Sequence, residues 1–520
     1  MTGILDIIRK ELLINLLSLR FIIGLVVVML LIGLVGYVLT LDYASRRQAY
    51  IAAAEQHSRA LEDAKVYSTI KVEMDIPPNP LSLLSRGSKD LPVTITVSPY
   101  HVPTILDASG SGATISLDGT GDLPVNPLLR VFSSIDVGFI VGMIMSLFCI
   151  LLVFDSFSGE KEQGTLRVLL SAPVGRLQLL AGKYCGALLS AATPLTAGLL
   201  LLVILWNISG LVTLTPADWL GLACMYAASI LYLACFLALG ILISLFAEES
   251  VTGLVHQLLV WVVAGIVLPA GAGYVAEFLH PILPETELIR EADENYGRAY
   301  SNVRYQQTEG SWNVAYTDYA GPESFLGITE KEALNRVEYN KIIFPMKFAL
   351  AEEHFHIRDA VQRSLERREE ARNSLDAISP VAAYGRIVRA LAGSDIGSYR
   401  RTFAAARNYR ESLMEYLRPK VATAAWVTRV LDQPELQPTK ENMSYWNERA
   451  KKEGEDVFLK EWWNWSRVKP LDLSAMPRPN LEVPGLRERL GDALFPCALL
   501  MVLTAGFLVM AGWKLLRYPA

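Results

Sequence analysis

A charged run between two long apolar stretches reads Glu160-Lys161-Glu162-Gln163-Gly164-Thr165-Leu166-Arg167, with Pro173, Arg176 and Lys183 following. A short helix pair with paired charges can be gripped by a soluble partner and pass force to its flanking segments; the alternative is an ordinary membrane-proximal loop whose positive charges only set topology. Nucleotide hydrolysis would need Gly-x4-Gly-Lys-Ser/Thr, whose backbone amides wrap the phosphates and whose hydroxyl reaches magnesium. The nearest approach is Gly175 to Gly182-Lys183-Tyr184, with six intervening residues and a tyrosine in place of the hydroxyl. It is rejected as a phosphate-binding loop. His354 and His356 point about 200° apart on a helix, so they do not chelate one ion. The cysteines Cys149, Cys185, Cys224, Cys235 and Cys497 all fall in apolar runs and read as small apolar side chains. The sequence thus predicts no catalytic residue, no metal site and no bound cofactor.

The charged run lies between segments long enough to cross a bilayer, which takes about 20 apolar residues. Six such segments occur, at 21–41, 132–154, 184–208, 219–247, 251–276 and 492–513. At 52% hydrophobic and 19% charged, the chain keeps its charges in the intervals between them. Its net charge of −5 gives no global basic field, so no nucleic-acid partner is expected. The fold class read from this pattern is an all-α polytopic membrane protein with six transmembrane helices and a large helix-rich domain, with minor β content, outside the membrane. Residues 1–20 form a helix that carries Asp6, Arg9, Lys10 and Arg20 on one face and lies in the membrane interface.

Arg9, Lys10, Arg20, Lys161, Arg167, Arg176, Lys183, Lys514 and Arg517 share one side, whereas the short loop from Asn207 to Asp218 has no Lys or Arg. The positive-inside rule then makes both termini, the 155–183 loop and the 514–520 tail cytoplasmic. Segments 42–131 and 277–491 are extracytoplasmic and expected to pack into one domain. Within them the sequence predicts a helix from Asp42 to about Lys71, a strand at 91–97, and a glycine-rich loop at 107–122. It further predicts a long helix over 329–377, a new helix starting at Ser379-Pro380 and ending near Gly393, and another from Ser398 to Leu417. Trp462-Trp463-Asn464-Trp465 is read as a packed core or as a lipid- or glycan-facing cluster. Glu248, Glu249 and His256, near the cytoplasmic end of the fourth and fifth spans, are read either as a solvated turn or as a gating or partner contact.

Glu160, Lys161, Glu162, Gly164, Thr165, Leu166, Leu169, Leu170, Ser171, Pro173, Arg176, Gly182 and Lys183 together resemble the loop of ABC-2 type transporter permeases. The six spans and the N-terminal helix are similar to that family's core. The resemblance implies a permease that docks separate cytoplasmic ABC ATPase subunits through this loop and the N-terminal helix. ATP and magnesium would bind the ATPase, and a second permease copy or a similar permease would complete the path. Asn79-Pro80-Leu81-Ser82-Leu83-Leu84-Ser85-Arg86-Gly87, with Ile378-Ser379-Pro380, Ala392-Gly393-Ser394-Asp395, Tyr399 and Phe403, is similar to a bacterial subgroup with a large outer domain. The implied setting is the bacterial cytoplasmic membrane, in contact with lipid and with a possible extracytoplasmic protein partner. Two alternatives stay open: an ATP-driven transmitter of motion that moves no substrate, and a stand-alone membrane sensor. Charge reversal at Glu160 and Glu162 is expected to break coupling and leave insertion intact.

Overall fold

A computed structural model describes residues 2–65, 67, 70–85, 94–98, 101–106, 135–171, 175–282, 284–308, 330–421, 440–454, 469–479 and 485–518. Pro173, the 107–122 loop and Trp462–Trp465 lie outside these residues. Six helices are long and apolar enough to cross a membrane. They are the first span, Leu19–Glu62; the second, Val137–Glu162; the third, Arg176–Ser209; the fourth, Pro216–Phe246; the fifth, Ser250–Leu279; and the sixth, Leu486–Leu516. Each overlaps one of the six apolar runs read from the sequence, the second helix starting at Val137 instead of 132 and the fourth ending at Phe246 instead of 247.

The fourth span is the axis of the bundle. Tyr232, Leu233, Cys235, Phe236, Leu237 and Ile241 are all fully enclosed along it. Its start is fixed by a capping box, in which Thr215 Oγ1 accepts from the Asp218 amide and Asp218 accepts from the Thr215 amide. The preceding third span ends at Gly210, whose φ of 63° is the left-handed conformation that closes a helix. The first span is a 44-residue helix, about 66 Å long at 1.5 Å per residue, so it runs far past the hydrocarbon. The helix stops at Glu62, short of the expected Lys71, because the chain turns there into a strand.

That strand, β1 (Val72–Asp75), pairs antiparallel with β2 (Thr94–Ser98), which pairs with β3 (His101–Leu106). His57, on the far end of the first span, bonds the β1 carboxylates Glu73 and Asp75. Ile70, Val72, Met74 and Val97 share a small core with Tyr409, Leu413, Leu417, Leu471 and Met476. Residues from both long polar segments therefore meet in one body beyond the bundle, at the end opposite the 154–176 loop. The long helix is Glu330–Leu375, two residues from the expected bounds at its end, and the last of the expected helices is Ile396–Val421.

The helix after Ser379-Pro380 has an unforeseen position. Pro380–Ala392 starts with Ser379 as its cap and ends at Gly393 with φ 67°, as its residues predict. It does not sit in the outer body. Ala383, Tyr384, Ile387, Val388 and Leu391 are buried in the same core as the spans. Tyr384 stacks on Tyr232 at 4.4 Å, and its hydroxyl lies 2.9 Å from Ser229 Oγ. The second and fifth spans each loosen into a π-helical turn beside it, Ile140–Met145 and Val263–Val267. Tyr232 Oη donates to Gly142 O at 2.5 Å, and Ser379 Oγ donates to Ala264 O at 2.6 Å. The turn Pro80–Leu83 closes the same pocket, with Leu81 fully buried and Asn79 Nδ2 donating to Ala392 O at 2.7 Å. The two sequence fragments around Asn79 and Ser379 are thus halves of one wedge inserted between the spans.

Truncating this wedge should be costly. Tyr384→Ala is expected to lower stability by about 3–5 kcal/mol through lost burial. Tyr384→Phe, which loses only the hydroxyl bond, should cost about 1 kcal/mol. Thermal unfolding of the purified chain in detergent, followed by intrinsic fluorescence, measures both.

Candidate functional site

At the other end of the bundle, the second span stops being regular at Val153. Phe154–Phe157 turn, Ser158–Glu162 forms a short helix, and Thr165–Ser171 forms a second. Gly164 joins the two at φ 71°, a left-handed conformation that costs a residue with a Cβ about 1–2 kcal/mol. The amides that open the first loop helix are held from the fourth span, where Ser244 Oγ accepts from Phe157 N and Ser158 N at 3.1 Å each.

Glu160, Lys161, Glu162, Arg176 and Lys183 each end on a different helix. Lys183, on the third span, is nearly enclosed, at 5% side-chain exposure. Its Nζ lies 2.8 Å from Glu11 Oε1 on the amphipathic helix Thr2–Leu16 and 2.8 Å from Glu160 Oε1 on the loop. Lys161 Nζ donates to Leu245 O at 2.5 Å and Ala247 O at 2.9 Å, which caps the fourth span. Glu162 accepts from Ser250 N at 3.1 Å and Ser250 Oγ at 2.8 Å, which caps the start of the fifth. Arg176 Nη1 donates to Leu516 O and Tyr518 O at 2.8 Å each, at the end of the sixth. Arg20, leading the first span, bonds Asp155 at 2.9 Å and lies over the Phe154 ring. A cation at a helix C-terminus and an anion at an N-terminus also complement the helix dipoles. Leu166 anchors the loop with 1% exposure, and Thr165 Oγ1 closes it by donating to Glu160 O.

The amphipathic helix is held by shape as well as charge. Ile7 packs on Gly182, Glu11 on Gly186, and Asn15 Nδ2 donates to Ser190 at 3.2 Å. The contacts advance by four residues on both helices, so the helix runs along the third span for about 12 Å. A Cβ on Gly186 would come within 2.7 Å of Glu11 Cβ and 3.3 Å of the Ile8 carbonyl oxygen. Small residues four apart let helices approach this closely.

Asp6, Arg9 and Lys10 are exposed on this helix. Glu248 and Glu249 are exposed on the turn between the fourth and fifth spans, and His256 is exposed further along the fifth. The structure does not gather these three into one cluster. Among the described residues, no group of three or more His, Cys, Asp and Glu could hold a metal ion. The exposed part of the loop is its tip, with Gln163, Gly164, Arg167 and Val168 open to solvent. Glu160 is mostly enclosed instead, so its reversal to lysine would also set two cations against each other inside the protein.

The sequence reading missed Glu11, Asp155, Gly186, Ser244 and Ser250. For Glu11 a signal existed: it lies among Ile7, Ile8 and Leu12, where a carboxylate needs a buried cation. The other four carry no local mark, since serines, aspartates and glycines near helix ends are common.

Six helices long and apolar enough to cross a membrane, with a charged loop bonded to its neighbours at one end and a polar body at the other, are the architecture of a polytopic membrane protein. Residues 5–424 match the family described as ABC-2 family transporter protein, and the chain belongs to that family. It is also similar to the probable ABC transporter permease protein NosY of Pseudomonas aeruginosa, at 37% identity over 121 residues. That similarity covers 23% of this chain and 43% of the relative, so the chain spans less than half of the relative's length.

Four variants test the geometry. Lys183→Met leaves Glu11 and Glu160 facing each other without a cation, and should cost about 3–5 kcal/mol. Adding Glu11→Gln should recover part of that loss. Gly186→Ala should destabilise by about 1–3 kcal/mol, more than Gly182→Ala, whose Cβ meets only the Ile7 side chain. Thermal unfolding in detergent ranks all four variants.

Proposed function

We propose that this chain is the permease subunit of an ABC-2 type transporter, driven by separate ATPase subunits bound at the cytoplasmic loop end. The protein lies in the bacterial cytoplasmic membrane with both chain ends cytoplasmic. Two copies, or this chain with a similar permease, form the path, and segments 42–131 and 277–491 face outward, apart from the helix Pro380–Ala392 seated among the spans. ATP and magnesium bind the partner ATPase. The observation that carries this reading is the loop hub itself, in which Glu160, Lys161, Glu162, Arg176 and Lys183 each reach a different helix. A push on the exposed tip is therefore shared by the whole bundle. The distribution of Lys and Arg toward that end supports the orientation.

Substrate movement is one use of such motion. A second reading, transmission of motion to an extracytoplasmic partner, is favoured by one observation. The wedge helix Pro380–Ala392 lies among the spans and follows directly from the long helix Glu330–Leu375 that leaves the bundle. Any rearrangement around the π-helical turns of the second and fifth spans would be felt by that helix. ATP-dependent uptake or release in proteoliposomes, set against ATP-dependent movement of the outer body without flux, separates the two.

The expected outcome at the tip differs from that at the clamp. Arg167→Glu with Val168→Asp should weaken ATPase association by about tenfold, equivalent to about 1.4 kcal/mol, and leave thermal stability unchanged. Co-purification of the ATPase with wild-type and variant permease measures this. Full association of the variant would refute docking at the tip.

A further inference from the structure

A second feature lies at the far end of the bundle, where the wedge helix meets the sixth span. A cavity of about 520 Å³ opens there between the end of Glu330–Leu375, the helix Pro380–Ala392 and the first turns of the sixth span. Volumes of this size hold small-molecule ligands. Three arginines line it: Arg372, Arg386 and Arg389. Four carboxylates, those of Glu369, Asp376, Asp395 and Asp492, also line it, so the question is which charges are already spent.

Most of the carboxylates are committed. Asp376 is held by Arg386 at 3.1 Å. Asp395 accepts from Ser398 Oγ at 2.6 Å and from the Gly397 and Ser398 amides. Asp492 is paired with Arg401 at 2.8 Å. Glu369 reaches Arg372 only at 3.8 Å, beyond hydrogen-bond range. The arginines are not committed to the same degree. Arg386 spends one nitrogen on Asp376 and the Asn373 carbonyl, but its Nε and Nη2 are buried and bonded to nothing among the described residues. The Arg389 guanidinium makes no hydrogen bond or ion pair with any described residue, although its carbonyl accepts from Ser394 N and Ser394 Oγ. Burial first, and the nearby Arg372 charge second, push its guanidinium below the usual arginine range. Buried donors without acceptors are costly, and a guanidinium is shaped for two parallel bonds to an oxyanion. The opposite wall is apolar, with Ile396, Phe495 and Pro496. Phe495 is 71% exposed, and Ile378 and Leu494, beside the lining residues Ala377 and Phe495, are similarly open. Both the excess of donors and the apolar lip lie where the sixth span begins.

We propose that this cavity binds a phosphate group, held by Arg372, Arg386 and Arg389, with any apolar part of the ligand lying along Phe495. The phosphate could belong to the headgroup of an anionic phospholipid or to free inorganic phosphate. The apolar lip at the start of a span favours the lipid.

The test uses the full chain in nanodiscs and leaves the loop end intact. Native mass spectrometry compares retention of phosphatidylglycerol and phosphatidylcholine by wild type, Arg389→Gln and Arg389→Lys. A parallel thermal-shift series adds inorganic phosphate, with chloride at equal ionic strength as the control. If the lipid is the source, wild type retains phosphatidylglycerol over phosphatidylcholine. Arg389→Gln then loses about tenfold of that preference, the worth of one charge-assisted bond, and Arg389→Lys keeps part of it. If inorganic phosphate alone stabilises wild type and not Arg389→Gln, the site stands with a free-phosphate ligand. Should Arg389→Gln fail to fold, Arg372→Gln tests the same cavity, because Arg372 is partly exposed and makes no close ion pair. The proposal is overturned if folded variants retain the lipid and respond to phosphate as wild type does, or if wild type shows neither effect.

Discussion

The organisation of the inner end depends on one buried ammonium group. Lys183 is enclosed between Glu11 and Glu160 at 2.8 Å each, and so joins the amphipathic helix, the third span and the loop. Enclosing one cation and two carboxylates is expensive unless all are present and bonded. The three elements must then move together or separate together. The close seating of Ile7 on Gly182 and of Glu11 on Gly186 enforces the same choice sterically. Around this clamp, Lys161, Glu162 and Arg176 cap the ends of the fourth, fifth and sixth spans. Helix capping, ordinarily a local matter, here makes a single loop the terminus of several helices.

The far end answers with a different device. Two π-helical turns and a wedge helix meet there, where Gly142 O accepts from the Tyr232 and Ser146 hydroxyls and Ala264 O from Ser379 Oγ. Interfaces of this kind tend to switch between discrete arrangements because close-packed groups do not deform smoothly. Under the proposed reading, force enters at a stiff hub and leaves through a region of the bundle that is irregular by construction. Tyr232 and Tyr384, stacked at the centre, link the axial span to the wedge.

Much of this was legible in the sequence because it follows from local rules. Runs of apolar residues gave the six spans, Ser379-Pro380 and Gly393 gave the limits of a helix, and the 329–377 composition gave the long helix nearly residue for residue. The location of Pro380–Ala392 was not legible. Its alanines, Tyr384 and Val388 bury equally well against an outer domain or against the spans, and nothing local distinguishes the two. The loop charges were found by type but not by destination. Glu160, Lys161 and Glu162 read as a surface to be gripped, yet their partners lie up to 88 positions away along the chain, and those of Lys183 and Arg176 up to 172 and 342. Such contacts arise only once the helices are packed.

The central claim is that the clamp carries motion from the loop to the outer body. Pulsed electron spin resonance between labels at Gln163 and Ser374, in the permease assembled with its ATPase, tests it directly. Both positions are exposed, Gln163 at the loop tip and Ser374 at the far end of the bundle, where the long helix meets the wedge. The account requires the distance distribution to change between the ATP-bound and nucleotide-free complexes, and requires that change to vanish in a folded, ATPase-bound Lys183→Met variant. A nucleotide-dependent change of the same size in that variant would contradict it.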